Sequence, residues 1–357
     1  MKRLSIAFLF LSSCLFAAEK RATNVILFLG DAAGIPTLNA ASIHGYKAPQ
    51  KLFVQRMPHQ GLMDTSSASS WVTDSAAAMS AIVTGQKTDN GVISETALSA
   101  AGGPERKPLK TILEYAEEHG LSTGVISNSP MADATPAACY AHVDERSKTG
   151  EIFSQILNPR FGDGIDLVIG PGRKQILTAT ATLGIDLEPA LRKKGYAVYD
   201  SLDAVPDNAK RVVALFESDE YDLGAAIRKA TTILSRNSKG FFLMVESDLH
   251  TDQVRQGLDR AVAFDRIIEQ TVQKMKNNTL LIFAADHSFD FRVQSGRRDQ
   301  PLLPEDPAAT MPNVRMEDSH TGEEVLVAAD GPGSERVHGF FPNTNLFHIM
   351  LAAFGWE

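Results

Sequence analysis

Residues 24–34 read Asn-Val-Ile-Leu-Phe-Leu-Gly-Asp-Ala-Ala-Gly. A short, unbroken run of large apolar residues ending in glycine is the signature of a strand buried on both faces. Such strands occur in parallel sheets that carry helices on either side. Asp31 stands just past the run, where open α/β sheets bind their ligands. Two later segments repeat the design. Phe241-Phe-Leu-Met-Val245 runs into Glu246-Ser-Asp248-Leu-His250, and residues 279–285 run into Asp286-His287. Any one of these acids reads equally well as a helix N-cap. Three strand ends bringing acids to one rim, two of them with histidines, point instead to divalent cations. Zinc suits mixed Asp/His sites, and magnesium suits all-oxygen positions.

Further apolar runs lie at 122–126, 166–169, 211–215 and 325–328, and helix-like patterns cover 109–119, 223–234 and 254–276. Strands alternating with helices predict a three-layer α/β/α sandwich around a mainly parallel central sheet. Pro301, Pro304, Pro307 and Pro312 mark residues 301–312 as a loop, either a surface excursion or a wall of the active site.

The composition agrees with one globular domain. Of 357 residues, 43% are hydrophobic and 22% charged, with only two cysteines, which excludes long disorder and a disulfide scaffold. The net charge of −8 argues against a nucleic-acid partner but permits a locally positive pocket. Met1-Lys2-Arg3, an apolar run over 4–16 and Ala17-Ala18 have the layout of a Sec-type signal peptide. Residues 1–18 would be removed, leaving a single domain over 19–357 in the periplasm or outside the cell. Leu11-Ser-Ser-Cys14 gives the minor alternative of a lipid anchor on Cys14. No later run is long enough for a transmembrane span. The mature chain keeps one cysteine, Cys139, read as a small buried hydrophobe.

A candidate nucleophile lies in Val72-Thr-Asp74-Ser75-Ala-Ala-Ala-Met-Ser-Ala81. The small residues after Ser75 predict a helix whose first turn presents the hydroxyl and free amides to an anion. A plain capped helix is the other reading. A serine hydroxyl needs a base or a metal before it attacks anything, and no His-centred triad is evident around it.

Taken together these segments resemble the bacterial alkaline phosphatase family. Residues 24–34 match its opening strand and metal-bridging aspartate, Asp74-Ser75-Ala-Ala its phosphorylated serine, and 84–91 the segment behind it. Asp133-Ala-Thr135 through His142 to Arg146 matches the stretch that supplies a magnesium-site threonine and a phosphate-clamping arginine. Ala285-Asp286-His287 and His320-Thr-Gly-Glu-Glu324 match late zinc ligands. The resemblance implies metal-dependent hydrolysis of small phosphate monoesters through a phosphoserine on Ser75. One zinc would take Asp31, Asp286 and His287. A second would take His320 with Asp248 and His250. A magnesium would use Asp31, Thr135 and Glu246, with Asp133 nearby, and Arg146 would grip phosphate oxygens. Homodimers are common in that family.

The chain departs from the family pattern at Glu246-Ser-Asp248-Leu-His250-Thr-Asp252, which is compressed. Two other assignments stay open there: Asp248 with Asp252 at helical spacing, or Glu246 itself on the zinc. A phosphodiesterase on the same scaffold and a non-catalytic phosphate- or metal-binding protein are the alternatives. Arg146 and a serine nucleophile favour monoesters, and no Cys/Ser-x-Pro-x-Arg segment of a sulfatase is present. His142 reads as a packed structural histidine, His44 and His338 as packing or solvent residues, and Arg297 and Arg298 as a solvated loop.

Overall fold

In a computed structural model of the chain, which describes residues 21–98, 105–275, 277–306 and 308–356, all eight residues of strand β1 (Asn24–Asp31) are buried. The signal-peptide reading at 1–18, with Cys14, lies outside the described residues, as do Lys276 and Pro307.

Numbered along the chain, the other strands are β2 (His59–Asp64), β3 (Ser122–Ser127), β4 (Leu167–Pro171), β5 (Ala197–Tyr199), β6 (Val212–Phe216), β7 (Phe241–Asp248), β8 (Thr279–Ala285), β9 (Ser288–Val293), β10 (Val314–Thr321), β11 (Val325–Asp330) and β12 (Gly339–Pro342). β1 lies between β7 and β8, parallel to both. The ten-stranded sheet has the order β12-β2-β11-β8-β1-β7-β3-β4-β6-β5. The strands from β8 to β5 in this order pair in parallel. β11 is antiparallel to its neighbours β8 and β2. β9 and β10 form a separate antiparallel ribbon.

Two groups of helices cover the sheet and complete the three-layer α/β/α sandwich. One contains Ile35–Tyr46, Leu223–Leu234 and Val254–Met275; the other contains Ser75–Thr84, Ile112–Glu118, Ala134–Ala137 and Asn345–Phe354. The long helix Val254–Met275 buries Val254, Leu258, Ala261, Asp265, Ile268 and Val272, a stripe at three- to four-residue spacing. Phe264 from that helix meets Phe28 of β1 edge-on, with ring centroids 6.0 Å apart. Ser75–Thr84 is buried at every position, which its run of Ala and Ser permits because small side chains let neighbouring elements approach closely.

Two expectations shift in detail. β7 continues through Asp248, so Glu246 and Asp248 belong to the strand rather than to a loop after it. The helix expected over 109–119 begins at Ile112, because Thr111 caps it reciprocally with Glu114. Residues 301–306 and 308–312 form no helix or strand, and Leu302 and Leu303 are buried beneath them. Among the described residues no helix is long and apolar enough to cross a membrane.

Candidate active site

Sheet register brings the acidic strand ends together. Asp31 lies level with Asp248 and Leu29 with Glu246, while Gly30 lies level with Ala285, so Asp286 follows at the same height. These parallel strands open onto one rim.

The densest part of that rim is Asp31, Asp286 and His287, whose candidate ligand atoms all lie within 4.8 Å of one another. His287 Nε2 stands 3.3 Å from Asp31 Oδ1 and 3.4 Å from Asp286 Oδ2. It also lies 3.2 Å from Ser75 Oγ. The other ring nitrogen, Nδ1, is 3.1 Å from the Ser288 carbonyl, which assigns the proton to Nδ1 and leaves the Nε2 lone pair facing the acids. Burial lowers the His287 pKa to about 4, so the ring is neutral. Burial, reinforced by the charges of Asp286 and Glu246, holds the Asp31 carboxyl well above its ordinary range. Asp31 Oδ1 and Asp286 Oδ2 are buried with no hydrogen-bond partner among the described residues. Buried, mutually repelling carboxylates with orphaned oxygens are costly in a bare protein and suit a cation.

A second group, His250, His287 and His320, also has its candidate ligand atoms within 4.8 Å. The ribbon explains how residue 320 reaches the site. β9 starts directly after His287, and pairing places Thr321 opposite Ser288 and His320 opposite Phe289, with a bulge between Met316 and His320. Such a bulge re-aims a side chain. The His320 ring stacks on His287 at 3.6 Å, and its Nδ1 lies 3.0 Å from the Thr73 carbonyl, two residues before the serine.

Asp248 sits outside both groups. Its Oδ1 lies 2.8 Å from His250 Nδ1 and accepts the His250 backbone N–H at 3.0 Å. Arg260 approaches its other oxygen at 3.5 Å. Burial would raise the Asp248 carboxyl, but the His250 hydrogen bonds outweigh it and hold the group low. His250 is correspondingly raised, Asp248 outweighing the burial of the ring. The pairing of Asp248 with Asp252 at helical spacing is corrected: Asp252 is exposed and precedes the helix that begins at Val254.

Glu246 is fully buried. Its Oε2 accepts the Ser127 hydroxyl, and its Oε1 has no partner among the described residues. Thr135 Oγ1 is likewise buried and unpartnered. Burial holds the Glu246 carboxyl well above its usual range. Glu246, Thr135 and Asp31 offer oxygen only, the donor set magnesium favours. Ser127 was not visible as a site residue; only its register partner, Glu246, identifies it.

Ser75 opens its helix and is buried. Asp74 caps that helix by accepting the Ala77 N–H at 3.0 Å, and its other oxygen accepts the Gly91 N–H at 2.9 Å. That same oxygen accepts from Arg146 Nη1 at 3.2 Å, while Arg146 Nη2 donates to Asp133 at 3.0 Å. Two carboxylates therefore set the plane of the guanidinium. Asp133, expected near a magnesium, holds Arg146 here, and Asp74 is the second holder.

His142, His44 and Cys139 take structural places. His142 is buried between the Ser94 carbonyl, Glu114 and Arg160. His44 pairs with Asp259 at 2.7 Å, and His338 is exposed. Arg297 pairs with Asp299 on an exposed loop. Cys139 is fully buried, and burial pushes its thiol far up.

The chain is similar to known proteins over most of its length. The family model for alkaline phosphatase matches residues 22–202 and 216–303. The alkaline phosphatase of Escherichia coli (strain K12) is 28% identical over 95% of this chain and 87% of its own length. Alkaline phosphatase from the Antarctic bacterium TAB5 shares the fold, with a TM-score of 0.78 at 24% identity over 95% of this chain and 99% of that one. A variant of the TAB5 enzyme with Mg bound in its M3 site gives a TM-score of 0.77 at 25% identity, again over 95% and 99%.

Proposed function

The chain belongs to the alkaline phosphatase family, and from that premise we propose that it hydrolyses phosphate monoesters in a metal-dependent reaction through a phosphoserine on Ser75. The observation that carries the reading is the 3.2 Å approach of Ser75 Oγ to His287 Nε2, the atom that also faces Asp31 and Asp286. A serine set against a cation-type cluster gains the activation that it lacks alone.

Two zinc ions and one magnesium are the proposed complement. His250 and His320 would hold one zinc, with Asp248 fixing the His250 ring, while Asp31, Asp286 and His287 would hold the other. Asp31, Glu246 and Thr135 would hold magnesium. The orphaned oxygens of Asp31, Asp286, Glu246 and Thr135 support this set. Bound cations supply positive charge that lowers the pKa of the oxygens they touch and offsets charge building on phosphate.

The chain's own groups do the rest. Arg146 has five N–H donors and spends two on Asp74 and Asp133, leaving donors for nonbridging phosphate oxygens. The helix Ser75–Thr84 would turn its N-terminal end toward the same anion, with the Ala77 N–H already taken by Asp74. Ser75 Oγ attacks phosphorus in line with the departing alcohol oxygen, and water then cleaves the phosphoserine. A diester carries an ester group where a monoester carries a free oxygen, so a two-donor arginine clamp favours the monoester. The same reading extends to export: residues 1–18 as a cleaved signal and 19–357 as the mature domain in the periplasm or outside the cell.

The test is to express the full chain and assay an aryl phosphate monoester beside the matching diester, with and without a chelator, at alkaline pH. Monoester turnover that chelation abolishes and zinc with magnesium restores is expected. A strong preference for the diester would overturn the reading. Stoichiometric bound metal with no turnover would indicate the binding protein instead.

A further inference from the structure

Beside the metal rim, the ends of β3, β4, β6 and β7 and the helix Arg173–Thr182 border an open cavity of about 840 Å3 whose wall includes Asp248. Resting on the phosphatase reading above, we propose that this cavity receives the alcohol portion of the substrate and is built for a polyhydroxylated one, a sugar or polyol phosphate.

Position is the first argument. The cavity and the phosphate site share two walls. Asp248 lines the cavity with one side and holds the His250 ring with its Oδ1. The turn after β3 contributes Asn128, Ser129 and Pro130 to the cavity, then ends at Asp133, which holds Arg146. Asn128 Oδ1 accepts the Asp248 N–H at 2.7 Å and ties the two walls together.

Size is the second argument. A phosphate group needs only a small part of 840 Å3, whereas the whole cavity falls in the range of roughly 300–1,000 Å3 typical of small-molecule sites.

Chemistry is the third. Apart from the exposed ammonium of Lys174, the charges in the wall are largely compensated within the protein. Arg173 is paired with Glu188 and lies 3.7 Å from Glu217. Asp219 is paired with Arg260 at 2.8 Å, and the same guanidinium reaches Asp248. The groups left to meet a ligand are mostly neutral: the Asn128 amide, the Ser129 and Thr178 hydroxyls and the Gln175 amide, over a floor of Pro130 and Pro171. Neutral donors and acceptors above an apolar floor match a ring or chain of hydroxyls. A plain alkyl group would use none of them. Sites built to hydrogen-bond a hydroxyl discriminate against analogues that lack it.

The test compares kcat/KM for a hexose 6-phosphate and for ethyl phosphate, both primary alkyl esters, in the metal-loaded enzyme. Wild type should prefer the sugar phosphate by about tenfold or more. Thr178→Trp, at an exposed helix position on the cavity wall, should erase that preference while leaving ethyl phosphate turnover and inhibition by inorganic phosphate unchanged. Gln175→Ala should reduce the preference in the same direction without adding bulk. Turnover of both substrates with no preference, or variants that lower both equally, would overturn the subsite while leaving the phosphatase reading intact. No turnover of ethyl phosphate or of an aryl phosphate by wild type would overturn both.

Discussion

Ser75 Oγ and His287 Nε2 stand 3.2 Å apart, and the Nδ1–H of that histidine is spent on the Ser288 carbonyl. The lone pair facing the serine belongs to a ring whose pKa burial lowers to about 4. So weak a base gains little as a proton acceptor at neutral or alkaline pH, and the same lone pair is well placed as a metal ligand. Ser75→Ala should therefore remove the nucleophile and leave the cation cluster whole. Turnover of an aryl phosphate is expected to fall by about 10³-fold or more, with bound zinc and magnesium unchanged by elemental analysis. A variant that keeps a tenth of the activity would exclude Ser75 as the nucleophile.

Asp248 holds His250 through two contacts to one oxygen, at 2.8 and 3.0 Å. Carboxylates that fix a ligand histidine typically contribute about 10–100-fold to metal affinity. Asp248→Asn should weaken one cation of the set by that factor in a chelator competition and leave the others in place. Unchanged affinity for every cation would show that His250 needs no such support.

Much of this site is legible in the sequence because buried parallel strands are apolar without alternation, which makes the acids that end them conspicuous. Asp31, Glu246, Asp286 and His287 are all found in that way. His320 is harder: β10 reads Val-Arg-Met-Glu-Asp-Ser-His-Thr, a polar ribbon strand with no buried face to set a period, and only motif resemblance identifies it. β12, Gly-Phe-Phe-Pro, escapes for another reason: it is a four-residue edge strand that ends in Pro342, too short to show a period. Asp74 and Ser127 show a different limit. Each looks like an ordinary cap or strand-end residue until the fold brings it to Arg146 or Glu246 from 72 or 119 residues away. The compressed segment after Glu246 is ambiguous as a string because it reads as helix or strand; its place in β7 decides that Asp248 turns to His250.

The fork of Arg146 is held between Asp74 and Asp133. Lysine keeps the charge but loses the planar pair of donors. Arg146→Lys should lower kcat/KM for monoesters by about 10²-fold and weaken inhibition by inorganic phosphate. Asp133→Ala should have a smaller effect of the same kind, since it frees the guanidinium without removing it. Equal phosphate inhibition in Arg146→Lys and wild type would remove the arginine from the anion site.

Gly257 lies where the helix Val254–Met275 passes the backbone of His250, and a Cβ there would sit 2.2 Å from the His250 carbonyl oxygen. Backbone cannot yield as a side-chain tip can. Gly257→Ala should displace His250 and so lower metal affinity and turnover together, with thermal stability falling by roughly 1–3 kcal/mol. A variant of normal stability and normal metal content would show that this helix can shift without moving the histidine.

Far from the metals, Glu117 is buried beneath β3, accepting from the Thr123 hydroxyl and from the Gly164 N–H. Burial is the main cause that raises its pKa from 4.5 to about 7, with the charge of Asp166 adding to it. Asp166, itself raised to about 6, lies half-buried beside it. Below pH 4.5 both folded and unfolded chains hold the Glu117 proton. Between 4.5 and about 7 the unfolded chain releases it and the folded chain keeps it, so stability falls as pH rises through that window. Above about 7 the loss is complete, up to about 3 kcal/mol for a shift of this size. Glutamine can donate to Thr123 and accept from Gly164 without ever charging. Glu117→Gln should therefore raise the melting temperature over wild type at pH 8, with an advantage that shrinks steadily toward pH 5 in metal-saturated buffers. An advantage of the same size at every pH would mean that the carboxyl is already ionised across the window, and that its two hydrogen bonds outweigh burial.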